Sequence, residues 1–473
     1  MFKPAPLVAV GIALLLVLSP YAIGSFTEDG LREQIAIYDQ NPSISASVES
    51  YERNWFDATA RIRFGLADSF FEQFPVGDPS LPMAAMLQGF EIPVIVEVSH
   101  GPVLTNGGFG VGTASVRAYI DPESPMVAVA ENLLGLPYLF EFRGRAGFGT
   151  GFRFEGEIPA AESAFEDLSY SFSGLNYSGR IRNGDTELEA MTDNLSLQSP
   201  FFSAILESLA FEYDYDYRPD KIALADGEFS IASITATNPL LGADPMFSAD
   251  DLLMTIASDE NDAGTHIDAS VVYGAVSVTV ADVFAVSDAE IGISARHLDG
   301  QALLELQDFA ANMPLDVSDE QLLALLSPIL DQIVAGDPVI SLEPARFSMS
   351  QGDFDGRAMI SIDSSALPTG SFTELVNPMF AIQAVSAELE MSVSKALAAH
   401  LAGMAMGQQL AAIAGPGAGQ MTPEQAAAMA EAQFTVLVAQ GMLVDDGERY
   451  STSIEFSNGT AMANGQPIPL GAF

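Results

Sequence analysis

The stretch Phe140–Ile158, FEFRGRAGFGTGFRFEGEI, decides the fold class. Phe140 and Phe142 alternate with Glu141 and Arg143, and a similar pattern returns after the glycines. Successive side chains of a strand point to opposite faces, so this alternation predicts strands with one apolar face. The intervening glycines suit a tight sheet backbone or a bulge. The stretch therefore predicts neighbouring strands of an antiparallel sheet.

Short segments of the same kind extend from residue 43 to about residue 310. Ser43–Leu66 reads as two strands joined by a turn near Arg53–Asn54. In Ser277–Val280 and Glu290–Arg296, apolar residues alternate with small or polar ones. Gly, Asp and Asn separate the segments, as turn residues do. We therefore expect serial antiparallel hairpins with one apolar and one polar face, without a strict repeat.

A helical pattern follows the strands at Ser318–Val334, where leucine and isoleucine recur at helical spacing. Ser318 suits the N-cap position, and Gln321 stands three residues later. This pair is typical of a capping box, in which each side chain accepts from the other residue's backbone N–H. The pattern therefore predicts a helix that begins directly after Ser318.

Two Ala- and Met-rich helices are predicted further on, at Ser392–Ala414 and from Thr422 to about Gln440. Pro423 suits the first position of the second helix. They flank Gly415–Gly419, so we expect a helical hairpin. Their low charge and broad apolar surface favour an interface or a lid, with burial against the sheet as the alternative. Tyr450–Leu470 is predicted to form a final β-hairpin.

The order of these elements predicts an α+β protein. We expect a mostly antiparallel, elongated and curved β-sheet of serial hairpins, with a late helical hairpin and an N-terminal transmembrane helix. Residues 1–26 would form a membrane anchor or signal segment, and residues 27–315 a sheet-rich region. Residues 316–473 would add sheet, the helical hairpin and the last β-hairpin, in one continuous body with the preceding region.

The N-terminus predicts attachment to a membrane. Lys3 precedes Ala5–Ile23, a run of nineteen residues without charge. As a helix this run spans roughly 28 Å at ~1.5 Å per residue, close to the hydrocarbon thickness of a bilayer. A cleaved signal peptide is the alternative, because Ala22–Gly24 offers small residues, but the run exceeds the ~7–15 residues of a signal core. We expect a single-pass bacterial inner-membrane protein with most of the chain in the periplasm.

The charge balance excludes one class of partner. The chain carries 63 Asp and Glu against 18 Lys and Arg, for a net charge of -45. A field of this sign repels phosphate backbones, so we expect no nucleic-acid partner. Such a surface fits saline surroundings, although an ordinary acidic surface explains it equally well. The absence of cysteine excludes disulfides and thiolate metal sites.

The sequence offers no catalytic or metal-binding motif. It contains no G-x-S-x-G, H-E-x-x-H or Walker pattern. The four histidines are far apart in the sequence, so they form no local metal pair. Glu212–Asp216, EYDYD, alternates carboxylates with tyrosines, which favours a solvated strand face over a cation site. We therefore expect no catalytic residue, no metal and no cofactor.

Five short motifs occur in a fixed order along the chain. They are Tyr51-x-Arg53 with Trp55-Phe56, Ser99-His100-Gly101-Pro102, Gly336-Asp337-Pro338-Val339-Ile340, Asn458-Gly459 and Asn464-Gly465. In this order the chain resembles the YdgA-like bacterial envelope proteins, a family classed as domain of unknown function 945, over essentially its whole length. Asn54 departs from the glycine of the family's turn, although Asn also tolerates a positive φ.

The resemblance implies an inner-membrane-anchored periplasmic protein, with self-association as a further implied property, and it carries no catalytic residues. His100, Gly101 and Pro102, like Gly336-Asp337-Pro338, place Gly beside Pro at strand entries, which is typical of turns. His100 as a buried hydrogen-bonding group or a ligand contact is the alternative.

Three functions are compatible with this sequence. The leading hypothesis is a non-enzymatic envelope protein that binds a lipid-like or protein ligand on an apolar sheet face. The second is a structural scaffold that acts through homo-oligomerisation, with the helical hairpin as the interface. A hydrolase is the third and least favoured. A solvent-exposed apolar face would favour the first hypothesis, and a pocket that clusters His, Asp and Ser would favour the third.

Overall fold

The computed structural model describes most of the chain after residue 43. The described residues are 44–53, 57–67, 91–100, 103–104, 110–112, 114–125, 138–147, 151–165, 167–218, 221–242, 244–261, 263–281, 283–311, 318–414 and 423–468, with eight single positions before residue 137. Residues 5–23, the expected anchor, lie outside this part. No helix within it has the length and apolar character needed to cross a membrane.

The chain forms two compact units. Unit 1 comprises residues 1–216 and 236–243, and unit 2 comprises residues 217–235 and 244–473. The boundary expected at residue 315 therefore falls inside unit 2.

Unit 1 is built on an antiparallel sheet with the strand order β1-β2-β3-β6-β7-β8-β11-β12-β13. The first strands are β1 Ile44–Arg53, β2 Asp57–Leu66, β3 Glu91–His100, β4 Val103–Leu104, β5 Gly110–Val111, β6 Ala114–Ile120 and β7 Glu141–Ala146. The later strands are β8 Gly151–Ile158, β9 Ala161–Phe165, β10 Leu168–Phe172, β11 Leu175–Arg182, β12 Asp185–Ser199 and β13 Phe202–Asp216. β4 and β5 pair separately.

The second half of unit 1 is a meander with a constant spacing. β8 and β9 lie end to end in one run, and β10 and β11 in the next; β12 and β13 are single runs. The four runs begin at residues 151, 168, 185 and 202, each 17 residues after the one before. This spacing comes from equal run lengths joined by two-residue turns. The 17-residue spacing is not accompanied by a repeated amino-acid pattern, so it could not be predicted from the sequence.

The core of unit 1 lies on one face of this sheet. Along β2, buried Ala58, Ala60, Ile62 and Phe64 alternate with exposed residues. Across β7 and β8 the rings of Phe142, Phe152 and Phe154 stack with centroid separations of 5.7 to 6.4 Å. The alternation predicted from Phe140–Ile158 is thus confirmed, because the phenylalanines share the buried face.

Asn-Gly pairs form three of the hairpin turns. Asn183-Gly184, Asn458-Gly459 and Asn464-Gly465 all have positive φ at both residues. This conformation is required by the two-residue turn whose twist matches antiparallel strands. The last two pairs turn the chain at the C-terminus, where three strands form instead of the predicted single hairpin.

The strands of unit 2 are also antiparallel and follow the order β15-β16-β17-β18-β19-β20-β22-β23-β24. Its strands are β15 Pro245–Glu260, β16 His266–Val280, β17 Phe284–Asp299, β18 Val339–Met349, β19 Gly352–Ile362, β20 Val385–Ser394, β21 Val444–Asp445, β22 Arg449–Ser457, β23 Thr460–Ala463 and β24 Gln466–Ile468. β14, Leu224–Thr237, precedes them, and β21 pairs with β22.

Helices interrupt the strands of unit 2. They are α1 Gly300–Ala311, α2 Asp319–Ala335, α3 Pro378–Ala384, α4 Lys395–Ala414 and α5 Pro423–Ala439, with 3₁₀ turns at Ser364–Ala366 and Phe372–Val376. The capping box at Ser318 and Gln321 is confirmed, since both reciprocal bonds form. The paired helices α4 and α5 confirm the predicted helical hairpin.

Two predicted boundaries are wrong. Residues 300–311 form α1 and not strand, because the Asp299 carboxylate accepts from the Ala302 N–H at 2.9 Å and starts a helix. The helix expected from Ser392 begins only at Lys395, since Ser392 and Ser394 still pair with neighbouring strands. The mostly antiparallel sheet itself is confirmed.

Candidate ligand-binding face

The motif residues of the N-terminal strands lie at strand ends in unit 1. Tyr51 stands opposite Ala60 on β1 and packs, half-buried, against the core. Arg53 ends β1, and His100 ends β3 opposite Ala114. The side chains of Arg53 and His100, and all of Gly101 and Pro102, are outside the described residues. The ligand-contact hypothesis for His100 therefore stays a prediction.

Gly336, Asp337 and Pro338 connect α2 to β18. The Gly336 N–H donates to the last carbonyls of α2, and a Cβ there would lie 2.6 Å from the His297 carbonyl oxygen. Asp337 has a positive φ, and its carboxylate accepts from the Ser364 N–H at 2.8 Å. Pro338 is buried. These contacts hold a close-packed helix-to-strand turn.

The acidic strand Glu212–Asp216 has the alternation predicted for it. Phe211, Tyr213 and Tyr215 stack on one face of β13, with centroids 5.7 and 6.1 Å apart. The carboxylates of the other face stand opposite further acids, as in the pair of Asp214 with Glu187. Over the described ranges, no group of three or more His, Asp or Glu side chains is arranged to hold a metal ion.

The feature that could bind a ligand is a solvent-exposed apolar face on the sheet of unit 2. Strand β19 shows which residues belong to this face. Its pairing with β20 has no bulge, so alternate side chains of β19 point to the same face. Phe354 and Ile362, near its two ends, and Ile360 between them therefore share one face. Phe354 and Ile362 each pack against helices, whereas Ile360 is 52% exposed.

The same face continues across seven strands through directly opposed residues. One row runs through Ile256, Val271, Ile293, Leu342, Ala358, Leu389 and Ile454. A second row runs through Ala269, Ala295, Ile340, Ile360, Ala387 and Phe456. We call these two rows the apolar face.

The apolar face is accessible to solvent in its middle. Ile293 is 49% exposed and Ile340 is 56% exposed. Large aliphatic side chains held side by side and left open to water are unfavourable, and such patches commonly mark interaction sites. The apolar face is therefore the best candidate for a binding surface in unit 2.

Helices bound the apolar face at both ends of the strands. At one end, α4 and α5 cover Phe347, Phe354 and Val393 through Leu397 and Phe434. At the other end, Val334 of α2, Leu367 and Ala384 cover Ile362. The two covered clusters leave the middle of β18, β19 and β20 between them.

The opposite face of the same sheet is polar. Arg346 pairs with Glu290, and the Arg357 Nη2 lies 2.9 Å from the Glu390 Oε1. The hydroxyls of Ser294 and Ser341 lie 2.6 Å apart. In the middle of the sheet this face is solvated through these ion pairs and hydrogen bonds.

Sequence reading detects the alternation that builds the apolar face, but not its exposure. Ile291 and Ile293 read as residues of an apolar strand face. Whether a second layer covers that face depends on contacts between distant segments. Among the described residues of unit 2, the helices cover the two ends of the strands.

The described part of the chain is a mostly antiparallel β-sheet protein with few helices. The chain belongs to a family described as bacterial protein of unknown function (DUF945), whose match spans residues 1–471. The resemblance expected from the ordered motifs is thus confirmed. No curated protein and no solved structure matches the chain.

Proposed function

We propose that this protein is a non-enzymatic envelope protein that binds the hydrocarbon part of a lipid-like ligand on the apolar face. The observation that carries the proposal is the pair of apolar rows across seven and six strands, with Ile293, Ile340 and Ile360 about half exposed. Covering these side chains would contribute roughly 25 cal/mol for each Å² of apolar area removed from water.

The chemistry of the face favours a hydrocarbon chain over a peptide. The inner strands β16 to β20 are paired on both sides, so their backbone groups are already used. The rows themselves offer no polar side chain. A peptide laid on them would bury backbone N–H and C=O groups without partners, at a cost of several kcal/mol, whereas an acyl chain has none to satisfy.

The dimensions also suit an acyl chain. Seven strands give six spacings of about 4.8 Å, so the first row extends roughly 29 Å, and the second row, over six strands, extends roughly 24 Å. One leaflet of a bilayer is about 15 Å of hydrocarbon, half of the ~30 Å core. A single acyl chain lying across the strands would fit within the row.

Paired substitutions on the two faces of one sheet test this proposal. We expect Ile293→Thr with Ile360→Thr to lose copurifying lipid in native mass spectrometry of the detergent-extracted protein, because two hydroxyls interrupt the rows. Val276→Thr is the matched control, since Val276 is equally exposed but points to the other face of β16. Wild-type protein without bound lipid, or equal lipid in both variants, would contradict the proposal.

The proposed location is the bacterial inner membrane, with residues 5–23 as the anchor and the rest in the periplasm. The support is the uncharged run behind Lys3. Terminal sequencing of membrane-extracted protein should recover Met1 or Phe2. A mature start at Ser25 would contradict an uncleaved anchor.

Self-association as a scaffold is the second candidate. The observation that favours it is the apolar surface of the helical hairpin, where Met404, Met429 and Val436 are exposed. Sedimentation of the Met429→Glu variant tests it: a scaffold should lose mass, and an unchanged mass would count against this role.

A further inference from the structure

Three arginines occupy directly opposed positions in the sheet of unit 1. Arg153 on β8 stands opposite Arg145 on β7 and opposite Arg180 on β11. Neighbouring strands lie about 4.8 Å apart, so the three Cα atoms fall within roughly 10 Å. Like charges directly opposite each other destabilise a sheet. Such a row is therefore expected to have an anionic partner.

These arginines line a trough on the solvent face of the sheet. Five arginines line its volume of about 1050 Å³, namely Arg143, Arg145, Arg153, Arg180 and Arg182. Only three glutamates line it with them. The chain has 18 basic residues against 63 acidic ones, so a local excess of two positive charges departs from the rest of the protein. Distant acids are screened at physiological salt, where the Debye length is about 8 Å.

Some of these guanidinium groups already have partners. Glu141 accepts from the Arg117 Nε at 2.7 Å and from the Arg143 Nε at 2.9 Å. Burial raises the pKa of Glu141, but these two hydrogen bonds outweigh it, so the pKa is lowered and the carboxylate is charged at neutral pH. Arg180 pairs with Glu187.

Two guanidinium groups of the trough lack an ion-pair partner in the described part of the chain. Arg153 and Arg182 are exposed, and neither forms an ion pair with any residue in the described part of the chain. Both belong to the lining of the trough, where Arg182 stands opposite Gly151. They are therefore the groups best placed to meet a ligand from solvent.

Glycines leave room for a ligand beside the arginines. Gly147 and Gly151 belong to the lining of the trough. A Cβ at Gly151 would have the Ile181 carbonyl oxygen as its nearest neighbour, at 3.9 Å, so a side chain there would extend into open space. The concavity is of the size of small-molecule sites, about 300–1,000 Å³.

We propose that this trough binds a ligand carrying two neighbouring phosphate groups, through Arg145, Arg153, Arg180 and Arg182. Phosphate accepts bidentate hydrogen bonds from the planar guanidinium group, and the row is wide enough for two such groups. The site lies in unit 1 and does not rest on the apolar face of unit 2.

Titration calorimetry of the full-length protein with inorganic pyrophosphate, at about 50 mM salt without divalent cations, tests the proposal. We expect saturable binding that weakens at least about tenfold in the Arg153→Gln, Arg182→Gln double variant, because two charge-assisted donors are removed. Arg357→Gln is the control, since it removes one exposed arginine of unit 2 and should leave the affinity unchanged. Absence of binding by the wild type, or equal binding by the double variant, would overturn the proposal.

Two further variants separate ligand binding from damage to the fold. Gly151→Tyr fills the trough while keeping every arginine, so it should weaken pyrophosphate binding with an unchanged circular dichroism spectrum. Glu189→Gln removes an acid that lines the trough and should tighten binding several-fold, which a misfolded protein cannot do. Failure of both effects would also overturn the proposal.

The source of the phosphate groups is resolved with vesicles. Phosphatidylcholine vesicles that contain phosphatidic acid should cosediment with the protein, and be released by pyrophosphate, if the groups belong to lipid headgroups. Pyrophosphate binding without cosedimentation would assign a soluble ligand to the same trough. If the double variant instead changed sedimentation mass while the wild type ignored pyrophosphate, a second copy would occupy the trough and the proposal would be wrong.

Discussion

At the scale of single residues, the core of unit 1 depends on aromatic rings that lie over glycines. A Cβ at Gly144 would come within 2.1 Å of the Phe152 ring, and one at Gly179 within 2.4 Å of the Phe154 ring. Phe154 stands opposite both glycines, on β7 and β11. The missing side chains allow the rings to lie flat on the neighbouring strands, so these glycines are required for packing and not for turns.

Gly179→Ala should destabilise the protein by roughly 1–3 kcal/mol, the range for overpacking a core. Relief is difficult, since the new Cβ would also lie 2.3 Å from the backbone oxygen of Glu187. Urea denaturation gives the loss as a lower midpoint. Gly151→Ala, on the adjacent strand, is the matched control because its nearest contact would be 3.9 Å. Equal midpoints for the two variants would contradict this account.

At the scale of elements, the base of the helical hairpin is a covering layer on the sheet. Leu397 and Ala398 of α4 are buried against Val393 and Tyr450, and Phe434 of α5 packs on the Tyr450 ring at 5.1 Å. Burial against the sheet, one of the alternatives for this hairpin, therefore applies to its base. The Leu410 side chain, nearer the tip, lies outside the described residues.

Leu397→Ala should cost about 2–5 kcal/mol, because a fully buried leucine leaves a cavity beneath α4. Val436→Ala on α5 is the control: Val436 is 53% exposed, so the change should stay within about 0.5 kcal/mol. Thermal unfolding of both variants measures the difference. A tolerated Leu397→Ala would show that the hairpin does not depend on this contact.

Local sequence patterns were sufficient to predict the strands, helices and turns. The two candidate sites could not be predicted, because they depend on contacts between distant segments. The Phe-Arg alternation, the capping box at Ser318 and the Asn-Gly turns each act within a few residues, so the sequence alone reveals them. The row of Arg145, Arg153 and Arg180 is different, because it depends on the register of three strands. The exposure of Ile360 likewise depends on which helices reach β19. Neither property is encoded in a local pattern.

At the scale of the whole molecule, charge limits stability. A net charge of -45 on 473 residues opposes a compact state through self-repulsion. A sheet face that stays exposed, as in unit 2, reduces the apolar area that folding buries. Less hydrophobic stabilisation is then available to offset that repulsion. Stability should therefore respond to ionic strength more than it does in a protein of balanced charge.

The melting temperature should rise as NaCl increases from low to molar concentration, because screening shortens the range of repulsion from about 30 Å at 0.01 M to about 3 Å at 1 M. Differential scanning fluorimetry at fixed pH measures the trend. A protein of balanced charge in the same NaCl series is the control, since it shows the part of the change that does not come from self-repulsion. A melting temperature that is flat or falls with NaCl would contradict the expectation.

The constant 17-residue spacing of the meander has a consequence for how related chains can differ in length. Two successive runs occupy 34 residues, and removing 168–201 would bring β13 beside β8 in the register that β10 and β11 now hold. On β11 and β13 alike the even-numbered residues face solvent, so the alternation of the two faces would be kept. Tyr213 would however take the position of Gly179, over which the Phe154 ring lies. A change of length by whole hairpins therefore keeps the strand register and exchanges Arg180 for Asp214 at the trough, but it also requires a glycine at position 213 to accommodate Phe154.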